Sequence, residues 1–226
     1  MTIGKIGTLT IGQAPRSDIT PILDAVLPAH VACIHAGVLD GLDDATIAER
    51  FAVQPGNAVL TSRLLDGRAV VMGKPAVGIA VQEKIFELEQ QGCEIIVLLC
   101  TGEFHGLHSR SAWLIEPDQI LPPTLNALVG TRRAGILVPL ESQIASELKK
   151  WKGAAVTPVF AVASPYTASD DEVAAAARAL AEQGADVILT DCMGYTGRHR
   201  DVCARHVTQP VILSNQLLAD LLRNLL

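Results

Sequence analysis

Short runs of β-branched and aliphatic residues, bounded by Gly, Pro or charged positions, alternate along the chain with longer Ala-, Leu- and Glu-rich stretches. Repeated βα units produce this pattern, because a strand covered by helices on both faces is an unbroken apolar run. The pattern predicts strands at Lys5–Ile11, Val31–Val38, Ile95–Cys100, Ala134–Pro139, Val156–Ala161, Val187–Asp191 and Pro210–Leu213. It predicts helices at Ile19–Val26, Ala76–Gln91, Ser142–Trp151, Asp170–Gln183 and Asn215–Asn224. Leu60–Gly73 differs: LTSRLLDGRAVVMG sets Asp66-Gly67 between two alternating runs, which predicts a β-hairpin. The fold class that follows is α/β with mainly parallel sheets.

Two stretches share their punctuation. Gln91-Gly92-Cys93-Glu94-Ile95-Ile96-Val97-Leu98-Leu99-Cys100 and Gln183-Gly184-Ala185-Asp186-Val187-Ile188-Leu189-Thr190-Asp191-Cys192 both run helix end, glycine cap, apolar strand, cysteine. A glycine-marked first strand recurs as well, in Gly7-Thr8-Leu9 and Gly135-Ile136-Leu137. The expectation is a duplication: two pseudo-symmetric flavodoxin-like halves facing each other across a cleft. The first half is expected to take residues 1–110 plus 210–226, with Pro210–Leu226 crossing back to finish it, and the second to take 111–209. Ligands of open parallel sheets bind beyond the carboxyl ends of the strands, so Cys100 and Cys192 are expected in one cleft.

Composition narrows the function classes. Of 226 residues, 49% are hydrophobic, enough for a sizeable core. No apolar run approaches the roughly 20 residues that span a bilayer. The amino-terminal stretch lacks the layout of a secretory signal, so cytoplasm is the expected location. A net charge of -6 without a Lys/Arg cluster argues against nucleic acid and for a small-molecule partner. Monomer and homodimer both remain open. The cysteines Cys33, Cys93, Cys100, Cys192 and Cys203 are odd in number and sit in strand-like or helical settings, which favours reduced thiols over a disulfide framework. Cys93 and Cys203 are expected to be packing residues.

Two thiols on opposite sides of a small carboxylate suit acid/base chemistry: one thiolate removes an α-proton while the other thiol protonates the opposite face. Cys100-Thr101-Gly102 and Cys192-Met193-Gly194 each place a sulfur near loop N–H groups, which are expected to lower its pKa. Thr101, Gly102, Met193, Gly194 and the Thr196 hydroxyl are candidate substrate contacts, and Tyr166 and Tyr195 candidate pocket walls. In Gly12-Gln13-Ala14-Pro15-Arg16-Ser17-Asp18, Gln13 and Arg16 are candidate contacts, Arg16 as a bidentate carboxylate clamp. The same loop also reads as a helix start capped by Ser17 or Asp18. Glu103 and Asp191 flank the cysteines, where a carboxylate raises a thiol pKa. A zinc site from His105 and His108, or from His199, Cys203 and His206, is disfavoured by unequal spacing, so no metal is expected. No P-loop, G-x-G-x-x-G or H-E-x-x-H occurs, and the expected chemistry needs no cofactor.

The duplicated halves and paired cysteines resemble the aspartate/glutamate/hydantoin racemase superfamily, and Thr10–Asp18, Leu99–Phe104 and Asp191–Thr196 resemble the AroM family within it. The resemblance implies a cofactor-independent racemase, isomerase or decarboxylase acting on a small carboxylic acid, such as an amino acid or a hydantoin-like compound. A metabolite-binding protein without catalysis is the alternative. Thr101-Gly102 and Met193-Gly194 stand where the amino-acid racemases carry Asn-Thr and Thr-His. That departure points away from glutamate and aspartate, and the Cys-x-Gly form is similar to hydantoin racemases.

Overall fold

The computed structural model describes residues 3–226. The first series of elements is β1 (Lys5–Thr10), α1 (Thr20–Asp24), β2 (Ala32–Gly37), α2 (Asp44–Arg50), β3 (Val59–Arg63), β4 (Ala69–Gly73), α3 (Lys74–Gln90), β5 (Ile95–Leu99) and β6 (Trp113–Ile115). The second is α4 (Pro117–Val129), β7 (Ala134–Val138), a 3-10 turn at Glu141–Gln143, α5 (Ile144–Lys150), β8 (Val159–Val162), α6 (Asp170–Glu182), β9 (Val187–Thr190), α7 (Gly197–His206), β10 (Val211–Leu213) and α8 (Ser214–Leu225).

The strands form two parallel sheets, ordered β2-β1-β5-β6 and β8-β7-β9-β10, with β3 and β4 apart as an antiparallel hairpin. The two orders correspond strand for strand, so the repeat in the sequence is also a repeat in topology. The α/β class with mainly parallel sheets and the Leu60–Gly73 hairpin are as predicted. The crossing back of 210–226 is corrected in part. β10 pairs with β9 in the second sheet, and β6 takes the equivalent edge of the first. Only α8 reaches across, packing on α1 as well as on α4.

Side-chain alternation explains how the halves join. In β5, Ile95, Val97 and Leu99 enter one core while Ile96 and Leu98 enter another. In β9, Val187 and Leu189 enter the first of these cores and Ile188 a third. The shared core therefore holds one face of each sheet together with Leu121 and Leu125 of α4 and Leu218 and Leu222 of α8. The other face of each sheet is covered by its own helix, α3 or α6.

Helices α2, α4 and α7 and strand β6 lie outside the predicted set, and the start of β8 and the presence of α4 differ from the pattern for local reasons. The strand expected at Val156 begins at Val159, after Pro158, which has no N–H to give to a ladder. Helix α4 went unpredicted because Pro122 and Pro123 lie inside it; Leu121, Pro122, Leu125 and Val129 are nonetheless buried, and tertiary packing rather than propensity holds the helix. No helix among the described residues is long and apolar enough to cross a membrane.

Candidate active site

Each cysteine follows the central strand of its half, Cys100 after β5 and Cys192 two positions after β9. Both line one cavity of about 50 Å³, where roughly 10–15 Å³ admits a water molecule. The cavity lies at the carboxyl ends of the strands, where α/β sheets bind their ligands. Strand β3 closes one side through Val59, Leu60, Thr61 and Ser62, and α5 closes another through Glu147 and Lys150.

The two sulfurs have matching first partners. Gly102 N–H donates to Cys100 Sγ at 3.3 Å, and Gly194 N–H donates to Cys192 Sγ at 3.4 Å. Beyond these they differ. Tyr166 Oη lies 3.6 Å from Cys192 Sγ and accepts from Arg16 Nη2 at 3.3 Å, which leaves its own hydrogen to point at the sulfur. No such hydroxyl meets Cys100 among the described residues. The expectation of lowered thiol pKa values is corrected: burial pushes Cys100 up to about 12 and Cys192 above its ordinary value. One N–H per sulfur does not offset the loss of water around a thiolate. Cys192 is the thiol with more support for its anion, since Gly194 N–H, the Tyr166 hydroxyl and the Arg16 charge all act against the burial that raises its pKa.

Arg16 is not a free clamp. Its Nε and Nη2 donate to the two carboxylate oxygens of Asp18 at 2.8 and 2.7 Å. Nη1 donates to Thr10 Oγ1 at 3.1 Å and Ser62 Oγ at 3.2 Å. With Tyr166 these bonds use all five guanidinium donors. Burial opposes the charge, yet Tyr166 and Asp18 hold it in place. Arg16 thus supports the wall and orients Tyr166 instead of binding a carboxylate bidentately.

Of the other sequence candidates, Thr101, Gly102 and Met193 line the cavity, whereas Gln13, Gly194, Tyr195 and Thr196 do not. The Gln13 side chain ties its loop to Leu39 O and Leu65 N. Tyr195 is fully buried and donates to Ala163 O at 2.7 Å. Thr196 caps α7 with His199. Gly194 acts behind the wall: a Cβ there would collide with the Tyr166 ring, so only glycine lets that ring lie beside Cys192. The histidines weighed for zinc are dispersed, and no group of three His, Cys, Asp or Glu side chains among the described residues is placed to hold a metal ion.

The cavity also holds an ionic cluster that the chain pattern did not single out. Lys150 Nζ donates to Asp191 Oδ2 at 2.5 Å and Thr101 O at 2.9 Å, with Glu147 Oε2 at 3.3 Å. Trp151 Nε1 adds a bond to Asp191 Oδ2 at 3.0 Å. Burial and the Asp191 charge push Glu147 well up, so it keeps its proton at neutral pH, while Lys150 and its neighbours hold Asp191 down. One signal for this was present: Asp191 occupies the repeat position of Leu99, and a carboxylate in a buried strand needs a partner. Nothing in the sequence singled out Lys150, since a Glu147–Lys150 spacing on a helix ordinarily marks a solvated pair.

Comparison with known proteins agrees with this architecture. The chain is similar in structure to an allantoin racemase from Klebsiella pneumoniae, with TM-score 0.62 and 14% identity over 98% of this chain and 86% of that one. It is similar to a maleate cis-trans isomerase from Nocardia farcinica bound to TRIS, with TM-score 0.60 and 16% identity over 99% and 92%. An unliganded arylmalonate decarboxylase gives TM-score 0.58 and 16% identity over 97% and 92%. At these identities the likeness is one of fold. No curated protein matches in sequence. The AroM protein family model matches residues 6–226, which contain both sheets, both cysteine loops and the Arg16 support, and the chain therefore belongs to the AroM family.

Proposed function

We propose that the protein is a cofactor-independent racemase or epimerase acting on a small carboxylic acid, with Cys100 and Cys192 as its two acid/base groups. The observation that carries this reading is the pairing of two thiols on one cavity, each at an equivalent strand end and each accepting from the glycine N–H two positions on. Cys192 as thiolate takes the α-proton, the C–H electron pair moves into the carboxylate as an enolate, and the Cys100 thiol gives its proton to the opposite face. The products are the inverted acid, a Cys192 thiol and a Cys100 thiolate, and the reverse turnover restores the start. Removal of water from the cavity strengthens every N–H contact to the developing charge.

The test is proton NMR in D2O with pooled α-chiral acids, amino acids and hydantoins. Loss of an α-proton signal names the substrate, and Cys100→Ala and Cys192→Ser should each abolish its stereoinversion. Inversion that survives in either variant removes the two-base mechanism. A second reading is favoured by the asymmetry of the thiols, since Tyr166 serves Cys192 alone. In an isomerase or decarboxylase, one cysteine attacks or protonates by itself. Grossly unequal effects of the two substitutions select that reading.

A further inference from the structure

Three cations line the cavity: Arg16, Lys74 and Lys150. The charge of Arg16 is matched by Asp18 at 2.7 Å, and that of Lys150 by Asp191 at 2.5 Å. Lys74, at the start of α3, has no ion pair among the described residues. Glu103, the remaining anion of the wall, has 49% of its side chain in solvent and lies 3.8 Å from His105. With Glu147 protonated, Lys74 is the lining cation left without an ion-pair partner among the described residues, and its charge complements one negative group on a ligand.

Lys74 and Ala58 also line an adjoining groove of about 590 Å³, so they mark the junction between the cavity and the groove. The groove wall includes Ile79, Phe104 and Leu107, and Ile79 is 67% exposed. Gln82, Glu83, His105 and His108 complete the lining, yet most of its surface is apolar, and Lys74 is the cation at the end that meets the cavity. A concave, mainly apolar wall beside a cation suits an amphipathic acid, since the charge orients it and the wall removes its apolar part from water.

We propose that Lys74 binds the substrate carboxylate and that the groove beside it takes an apolar substituent, so the ligand class is monocarboxylic acids with an apolar chain. This rests on the reading of the cavity as the site of Cys100 and Cys192 chemistry. Arg16, despite its place on the same wall, has no donor left for the task.

The experiment is fluorine NMR of trifluoroacetate with the full chain, reading line broadening against protein concentration. The wild type broadens the probe. Lys74→Met and Lys74→Gln weaken binding about tenfold, the scale of one charge-assisted contact, and Lys74→Arg restores most of it. Hexanoate displaces the probe at lower concentration than acetate, and Ile79→Asp removes that advantage. Unchanged binding in both neutral variants, or no broadening by the wild type, overturns the carboxylate assignment. Hexanoate no better than acetate overturns the groove. If Lys74-dependent binding holds while no acid exchanges its α-proton, this proposal stands and the two-base reading fails. If exchange depends on both cysteines but its KM is unmoved by Lys74→Met, the reverse is true.

Discussion

Lys150 Nζ lies 2.5 Å from Asp191 Oδ2, although 41 positions separate the two residues in sequence. The same ammonium donates to Thr101 O, so the residue before Cys192 and the residue after Cys100 are held by one charge. Only 6% of the Lys150 side chain and 2% of the Asp191 side chain are exposed. A buried pair of this kind adds little net stability over apolar residues of the same shape, but it fixes geometry because each partner is costly to leave alone.

Lys150→Met should therefore destabilise the protein by about 3–5 kcal/mol, because it strands the Asp191 carboxylate in the interior. Asp191→Leu alone leaves the ammonium with Glu147, 3.3 Å away, as its remaining carboxylate, and should cost less than Lys150→Met. The double variant Lys150→Met/Asp191→Leu should cost clearly less than the sum, since no unpaired charge remains. Urea unfolding of the three proteins decides it. Additive costs would show that the pair does not act as a unit.

Glu147 predicts a pH dependence of stability. Its folded pKa is raised by burial and by the Asp191 charge, while an unfolded glutamate releases its proton near ~4.3. Above that pH the folded state holds more protons than the unfolded state, so this residue's contribution to stability falls as pH rises toward the folded value. Asp191 has a lowered pKa, so its contribution is lost only on acidification, below the ordinary carboxylate range. Glu147→Gln removes the alkaline loss. Urea midpoints from mildly acidic to alkaline pH should slope downward in the wild type and less so in the variant; parallel slopes would place the proton elsewhere.

How much of this was legible in the chain depended on whether residues act through repetition or through long-range contact. The repeated Gly-strand-cysteine runs predict both central strands and bring Cys100 and Cys192 to equivalent places. Periodicity also finds the β3–β4 hairpin from Asp66-Gly67. It cannot find Lys150 or Lys74, whose roles come from distant partners or from the lack of them. It misreads Arg16, because the Asp18, Ser62 and Tyr166 contacts that use up its donors come from three separate loops and strands. It places β10 in the wrong sheet, since a three-residue strand carries no signal about which edge it joins. The thiol pKa values went the wrong way because loop N–H groups are visible in sequence whereas burial is not.

The Tyr166 hydroxyl should set the reactivity of Cys192 but not of Cys100. Alkylation by iodoacetamide proceeds through the thiolate, so its rate climbs with pH at both sites while they remain mostly protonated. Cys192 should react first, because Cys100 is pushed up to about 12 and has, among the described residues, only Gly102 N–H as a hydrogen-bond donor. Tyr166→Phe removes a hydrogen bond to the Cys192 anion and should slow its alkylation about tenfold at fixed pH, one pKa unit being worth about 1.4 kcal/mol. Peptide mapping by mass spectrometry reads both sites in one sample. Equal slowing of Cys100 and Cys192 would indicate a general change in access instead.

Gly194 and Gly102 hold equivalent places after the two cysteines, yet alanine should have unequal effects there. A Cβ at Gly194 would lie 2.6 Å from the Tyr166 hydroxyl and collide with its ring, and Arg16 holds that hydroxyl from the other side. Neither partner can yield without breaking the bonds of a buried guanidinium, so Gly194→Ala should displace Tyr166 and uncouple it from Cys192. A Cβ at Gly102 would lie 2.8 Å from Leu60 Cδ2, the far end of a side chain that can rotate, and 3.3 Å from Cys100 Sγ. Gly102→Ala should therefore cost about 1–3 kcal/mol, as overpacking does, and leave the alkylation rate of Cys192 near that of the wild type. Gly194→Ala should reproduce the slow Cys192 alkylation of Tyr166→Phe, with little added effect when the two are combined. Full additivity between Gly194→Ala and Tyr166→Phe would mean that the glycine serves the backbone turn alone and has no part in placing the hydroxyl.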